Sequence, residues 1–188
     1  MLFLRIYLLA GLVVHKAVWE ILKRRPQGSQ PGAQRSSFVK LVKAVKIVIL
    51  LGVAVQTLLP DILPISNEPF MFRVAGALIY TAGLLIAIRG RTELGSNWSD
   101  IETAKILNDQ AVVSSGLYKL IRHPIYVGDL ILLFGLELAL NSWLVLGVIL
   151  LVPVVLRQAI KEERQLIRSL PGYEAYCAST KRFIPFIV

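Results

Sequence analysis

Apolar residues gather into five blocks along the chain, and polar residues separate them. The blocks run from about 2 to 22, 45 to 59, 74 to 88, 125 to 140 and 143 to 156. Long apolar runs of this kind predict helices that cross a membrane, which takes roughly 20 mostly apolar residues each. Several blocks are shorter and reach that length only when flanking Lys and Arg snorkel to the headgroups. The pattern predicts an all-α, multi-pass integral membrane protein with about five transmembrane helices. The last two, joined through Asn141-Ser142, are expected to form a C-terminal helical hairpin.

Charge gives the expected orientation. Lys23, Arg24, Arg25, Arg35, Lys40, Lys43 and Lys46 lie between the first two blocks with no acid among them. Asp61 and Glu68 lie between the second and third. Arg89 and Arg91 follow the third, and Arg157, Lys161, Arg164 and Arg168 follow the fifth. By the positive-inside rule the first loop, the stretch from about 89 to 122 and the C-terminus are cytoplasmic, and the N-terminus is outside. A cleaved signal peptide is not expected, because the basic cluster follows the first apolar block and no small-residue cleavage site does. Residues 26–34, rich in Gly, Pro, Gln and Ser, read as a flexible polar loop.

Composition narrows the class. The chain has 188 residues, 55% of them hydrophobic, and a mean hydropathy of +0.65. That excludes a disordered chain and exceeds the roughly 45–50% apolar content of a soluble domain. The net charge of +9 would also suit nucleic acid, but basic residues alternating with long apolar blocks do not make a nucleic-acid stripe. Cys177 is the single cysteine, so no disulfide forms within the chain. Neither a phosphate-binding loop nor a dinucleotide fingerprint is present, and two histidines make no His-rich metal site.

Two polar stretches carry chemistry. In Arg122-His123-Pro124-Ile125-Tyr126, Pro124 biases His123 away from helix and suits the first position of helix four. The first N–H groups of that helix are then available to an anion or polar ligand. The plainer reading of Arg122-His123 is an interfacial anchor. Asp129 and Glu137 fall inside the fourth block, where acids either pair, line a polar cavity or reach a helix end. Beyond the fifth block, Arg157 and Lys161 are four apart and share a helix face, with Glu162 offset and Glu163 beside it. Pro171-Gly172 breaks that helix. Tyr173, Tyr176 and Lys181-Arg182-Phe183 either anchor at the interface or close a cavity.

Ser115-Gly-Leu-Tyr-Lys-Leu-Ile-Arg-His-Pro-Ile-Tyr-Val-Gly128, then Lys161-Glu-Glu-Arg-Gln-Leu166, Tyr173, Tyr176 and an Arg-Phe-Ile-Pro ending, resemble the isoprenylcysteine carboxyl methyltransferase family. The related phospholipid N-methyltransferases share its plan. Leu94-Gly-Ser-Asn-Trp-Ser99 resembles the segment after the third helix in prokaryotic members. The resemblance implies a membrane enzyme that uses S-adenosylmethionine. It implies a scaffold over 1–93 and a catalytic, cofactor-binding region over 94–188. His123, Pro124, Ile125 and Tyr126 match the segment that wraps the cofactor, and Tyr118 a second contact. Gln110, Ala111, Val112 and Val113 match an upstream cofactor stretch, with Gln110 where many members carry His. Glu162 or Glu163 matches the acid that binds the cofactor's cationic end. Arg157 stands nearest to the family's substrate-binding arginine. Arg122 and the start of helix four suit the cofactor's carboxylate. The implied acceptor is lipid-like: the carboxylate of an isoprenylcysteine or a relative, or a lipid amine. A nicotinamide-dependent reductase on the sterol-reductase plan and a non-enzymatic membrane protein are the alternatives.

Overall fold

The computed structural model describes residues 1–22, 51–59, 61–97 and 110–185. The polar loop 26–34, the first part of the second block, and residues 98–109 lie outside the described residues. Among those described, regular structure is helical. The order is α1 (Leu2–Ile21), α2 (described over 51–58), α3 (Phe70–Leu94), α4 (Pro124–Ala139), α5 (Val145–Ser169) and α6 (Tyr173–Ser179). Short 3-10 turns occupy Gly95–Asn97 and Gly116–Lys119. Isolated β-bridges join Pro64 to Ser142 and Ile121 to Lys181.

α1, and α3 with its 3-10 extension, are long and apolar enough to cross a membrane. α4 has 16 residues, or about 24 Å at 1.5 Å per residue, short of a hydrocarbon core of about 30 Å. α5 has 25 residues, but its apolar run ends at Leu156 and the helix continues as a charged arm. α3 likewise outruns its apolar block at both ends. Arg73 donates to Asp61, and Arg89 to Glu93 one turn on, so these charged residues are paired within or beside the helix.

α3 and α4 run antiparallel, backbone against backbone. A Cβ at Gly76 would fall on the backbone of Ala139, one at Gly83 on Leu132, one at Gly128 on Ala87 and one at Gly135 on Tyr80. Where lipid removes the hydrophobic drive between helices, small residues that allow such close approach supply the association energy through dispersion. Farther along, Gly90 meets Pro124 and Ile125 at the start of α4. α1 lies across this pair: Leu8 is fully buried, the Tyr80 hydroxyl donates to its carbonyl (2.7 Å), and Gly11 accommodates the Tyr80 ring.

The α4–α5 turn is locked by polar groups. Asn141 has φ +56°. Its carbonyl accepts from Ile65, its Oδ1 from the Ser66 N–H, and its Nδ2 donates to the Ser66 carbonyl. Glu137 is buried and accepts from the Gln56 amide at 2.7 Å, so its partner is a neutral side chain of α2. At the other end of α3, buried Arg91 donates to the carbonyls of Leu22 and Gly95, tying the end of α1 to the end of α3.

Candidate functional site

α4 begins at Pro124, with His123 as the residue before it, as its fixed φ and missing N–H favour. The approach to it is held by Glu93 on α3. The Glu93 carboxylate accepts from the Leu117 N–H at 2.7 Å and sits where a Cβ on Gly116 would go. Gly116 has φ +59°, a conformation glycine adopts without strain. That turn delivers Tyr118, then Arg122 and His123, to the mouth of α4.

From the other side comes the charged arm of α5. It ends at Leu170, and Gly172, at φ +82°, starts α6. The chain after α6 returns beside the 121–123 segment: Arg122 and His123 donate their N–H groups to the carbonyls of Lys181 and Arg182. Glu163 fastens this strap. Its carboxylate accepts from Arg122 Nε (2.9 Å), from Arg182 Nη2 (2.7 Å) and is 3.0 Å from His123 Nε2. Arg122 Nη1 also donates to the carbonyls of Cys177 and Thr180. Burial alone would raise the Glu163 carboxyl, but the hydrogen bonds from His123, Arg182 and Arg122 outweigh it and hold it well below the usual carboxylate range.

Glu162, the next residue, has the opposite environment. Its carboxylate accepts from the Tyr126 hydroxyl at 3.0 Å and lies 3.9 Å from His123 Nδ1. Burial pushes it up, only partly opposed by His123 and by the Tyr126 hydrogen bond, and Glu163 raises it further. The His123 ring stacks on Tyr126 at 5.3 Å between centroids and meets Phe183 at 5.7 Å.

Glu162 faces a pocket of about 710 Å³, measured out to its open mouth. Gln110, Ala111, Val112 and Val113 line one side, and Tyr118, Arg122, His123, Ile125 and Tyr126 another. Ten of the residues expected from sequence, Glu162 included, thus meet in one cavity. Pro124 is fully buried behind them. Glu163 is not in the lining; it holds the strap. Arg157 is exposed on α5, outside the lining and more than a turn before Glu162.

Leu94, Asn97, Leu166 and Leu170 complete the wall with Tyr173 and Tyr176. Leu166 and Leu170 follow Glu162 at four-residue steps, one helix face, and that periodicity is readable in the sequence. Asn97 left no such signal. Its carbonyl accepts from the Gln110 side chain (3.1 Å) and its Oδ1 from the Ala111 N–H (2.7 Å), fixing the 110–113 segment from across the pocket. Among the described residues, Gln110 Oε1 is buried without a hydrogen-bond partner. Tyr176 caps the wall, its hydroxyl donating to the Tyr118 carbonyl at 2.7 Å.

Known proteins resemble this chain in sequence and in fold. The family model described as phospholipid methyltransferase matches residues 71–171, which include both sides of α3–α4 and the arm of α5. The cobalt-zinc-cadmium resistance protein CzcN of Cupriavidus metallidurans is 35% identical over 82 residues, 41% of this chain and 37% of that one. The chain therefore spans little more than a third of the length of this curated relative. The solved structure of the eukaryotic intramembrane Ras methyltransferase ICMT (isoprenylcysteine carboxyl methyltransferase) superposes with a TM-score of 0.62 at 18% identity. That match covers 98% of this chain and 68% of the other, and it establishes the shared fold. With more than half of its length matched by the family model, the chain belongs to the phospholipid methyltransferase family.

Proposed function

We propose that the protein is an integral-membrane methyltransferase that takes its methyl group from S-adenosylmethionine and gives it to a lipid-like acceptor. One observation carries this reading: the half-buried Glu162 carboxylate lines the same pocket as Gln110, whose buried Oε1 has no hydrogen-bond partner among the described residues. A buried carboxylate whose pKa is raised calls for a cation, and an orphaned amide oxygen calls for a donor. S-adenosylmethionine offers both, as sulfonium and ammonium charges and as amine and hydroxyl donors. When bound, it supplies an electrophilic methyl carbon on positively charged sulfur.

The chain's own residues bind, orient and dry the site. Glu162 takes the cationic side, and Gln110 accepts from an N–H or O–H. Arg122 and the first N–H groups of α4 suit the carboxylate end. Tyr118, Tyr126, Tyr173 and Tyr176 exclude water. Rate enhancement then comes mainly from positioning and from loss of charge in a sheltered cavity. Residues 1–93 supply the membrane scaffold and 94–188 the catalytic region. Five spans, with α4 and α5 as a short hairpin and the N-terminus outside, put the pocket on the cytoplasmic side where a water-soluble donor arrives. The acceptor, whether an isoprenylcysteine-like carboxylate or a lipid amine, reaches it laterally from the bilayer.

Radiolabelled methyl transfer into lipid extract tests the reading. The full chain labels a lipid fraction, and Glu162→Gln lowers the rate by about 10- to 100-fold, the loss expected for one charge-assisted contact. Labelling that is absent from the wild type, or that is unchanged in Glu162→Gln, contradicts it.

A further inference from the structure

The arm of α5 carries a second chemistry on the side turned away from the pocket. Arg157, Lys161, Arg164 and Arg168 follow one another at steps of four, three and four residues, so all four project from one face of the helix. All four are exposed. Among the described residues, none of the four side chains has an ion pair or a hydrogen bond. The acids beside them are engaged elsewhere: Glu162 accepts from Tyr126, and Glu163 pairs with Arg122 and Arg182. The opposite face of the same turns is the inner one, with Ala159 fully buried and Leu166 and Leu170 in the pocket wall. Each step of the basic row sets like charges side by side on the helix, which weakens the arm when nothing faces them.

What faces them follows from the other half of the helix. Extended toward the start of α5, the same three- and four-residue steps run through Pro153, Leu150 and Leu146, with Val154 beside them, and all are exposed. On the membrane reading of the fold, acyl chains cover such an apolar row. One continuous face of α5 therefore passes from apolar to basic between Val154 and Arg157, as a helix does where it leaves hydrocarbon for headgroups. A soluble polyanion matches the charge of this face but not its apolar half. We propose that the basic row binds the anionic headgroups of phospholipids in the leaflet on the pocket side. This rests on the membrane placement of α5 and is independent of methyl transfer. The headgroup layer adds roughly 5–7 Å to each side of the hydrocarbon. Along the helix axis Lys161 stands about 6 Å beyond Arg157, Arg164 about 10 Å and Arg168 about 16 Å. Arg157 and Lys161 thus meet lipid phosphates directly, and Arg164 and Arg168 lie within one to two Debye lengths, about 8–10 Å each, of the same negative surface. Arg157, which the resemblance set nearest to a substrate-binding arginine, takes a headgroup on this face instead. Binding there holds down the arm whose inner side presents Glu162 to the pocket.

The test uses the full chain in phosphatidylcholine nanodiscs that carry a trace of acyl-chain spin-labelled phosphatidylglycerol or, in parallel, of spin-labelled phosphatidylcholine. Electron spin resonance reads the fraction of each lipid held at the protein surface. The forms compared are wild type, Arg157→Gln/Lys161→Gln, Arg164→Gln/Arg168→Gln, and Arg157→Lys/Lys161→Arg, which keeps both charges. The basic residues between the first two blocks set a background common to all forms. The proposal expects the wild type to prefer phosphatidylglycerol, and salt at about 1 M to remove most of that preference. Arg157→Gln/Lys161→Gln should lower it about fivefold, the value of one cation close to an anionic surface. Arg164→Gln/Arg168→Gln should lower it by about twofold, because screening weakens the more distant charges. Arg157→Lys/Lys161→Arg should retain it. All variants should melt no earlier than wild type in detergent, since no ion pair is broken. Equal association of the two lipids with the wild type, an unchanged preference in Arg157→Gln/Lys161→Gln, or the same loss in the form that keeps both charges overturns the proposal. Charge-dependent binding of soluble heparin without lipid preference also overturns it, and assigns the face to an acidic macromolecule. Absence of any held lipid of either kind around the wild type removes the membrane placement of α5, and the docking with it.

Discussion

Glu162 and Glu163 are adjacent in the chain and differ in almost everything that decides what a carboxyl does. Glu163 has two arginine partners, a histidine nitrogen at 3.0 Å and a depressed pKa. Such a group stabilises the fold fully above its unfolded value of about 4.3, and that contribution is lost as pH falls through the lower folded value. Glu163→Gln should cost about 3 kcal/mol, as breaking a buried pair does, and should flatten the acid limb of a thermal-melting series run in detergent. Glu162 has the opposite sign. Its folded pKa is raised, so its ionisation weakens the fold as pH rises through the carboxylate range. Glu162→Gln should melt no earlier than wild type at neutral pH while binding S-adenosylmethionine about 10-fold more weakly or worse. A variant that loses stability and binding together would assign Glu162 to structure instead. Sequence could place both acids on the helix end beyond the apolar run, but not tell them apart. The difference comes from Arg182, 19 residues on from Glu163, and from a β-bridge between Ile121 and Lys181. Neither local spacing nor composition encodes such a contact.

At the scale of elements, the α3–α4 seam positions the site. Gly76, Gly83 and Gly90 recur every seven residues on one helix, and Gly128 and Gly135 do so on the other. The repeat is visible in the sequence; the reading from apolar blocks passed over it because glycine there registers only as weak hydrophobicity. Gly83→Ala and Gly135→Ala each force a methyl group into facing backbone. Each should cost about 1–3 kcal/mol, measured by thermal unfolding in detergent. The same substitution at Gly147, which has open space around it, should be neutral or stabilising by up to about 1 kcal/mol through helix propensity and serves as the control. Block boundaries were legible where proline or glycine acts locally, as at Pro124 and Pro171-Gly172. They were not legible where charged residues continue a helix. α3 runs through Arg89, Arg91 and Glu93, and α5 runs between three and four turns beyond Leu156; Arg89 pairs with Glu93, Arg91 reaches the Leu22 and Gly95 carbonyls, and Glu163 pairs with Arg182 of the strap.

For the whole molecule, two long apolar helices, the shorter α4 and a polar cap place a half-buried pocket where the apolar and charged parts of the chain meet. The N-terminal helix contributes more than an anchor: it carries Leu8 into the core, its terminal carbonyl takes Arg91, and His15 reaches Asp129. The measurement that bears most directly on the account is a calorimetric titration of the full chain in detergent with S-adenosylhomocysteine, run beside one with reduced nicotinamide dinucleotide phosphate. The account predicts saturable, one-to-one binding of the first, weakened by substitution of Gln110 or Glu162, and no heat from the second. Binding of the nicotinamide alone, or of neither compound, would contradict it.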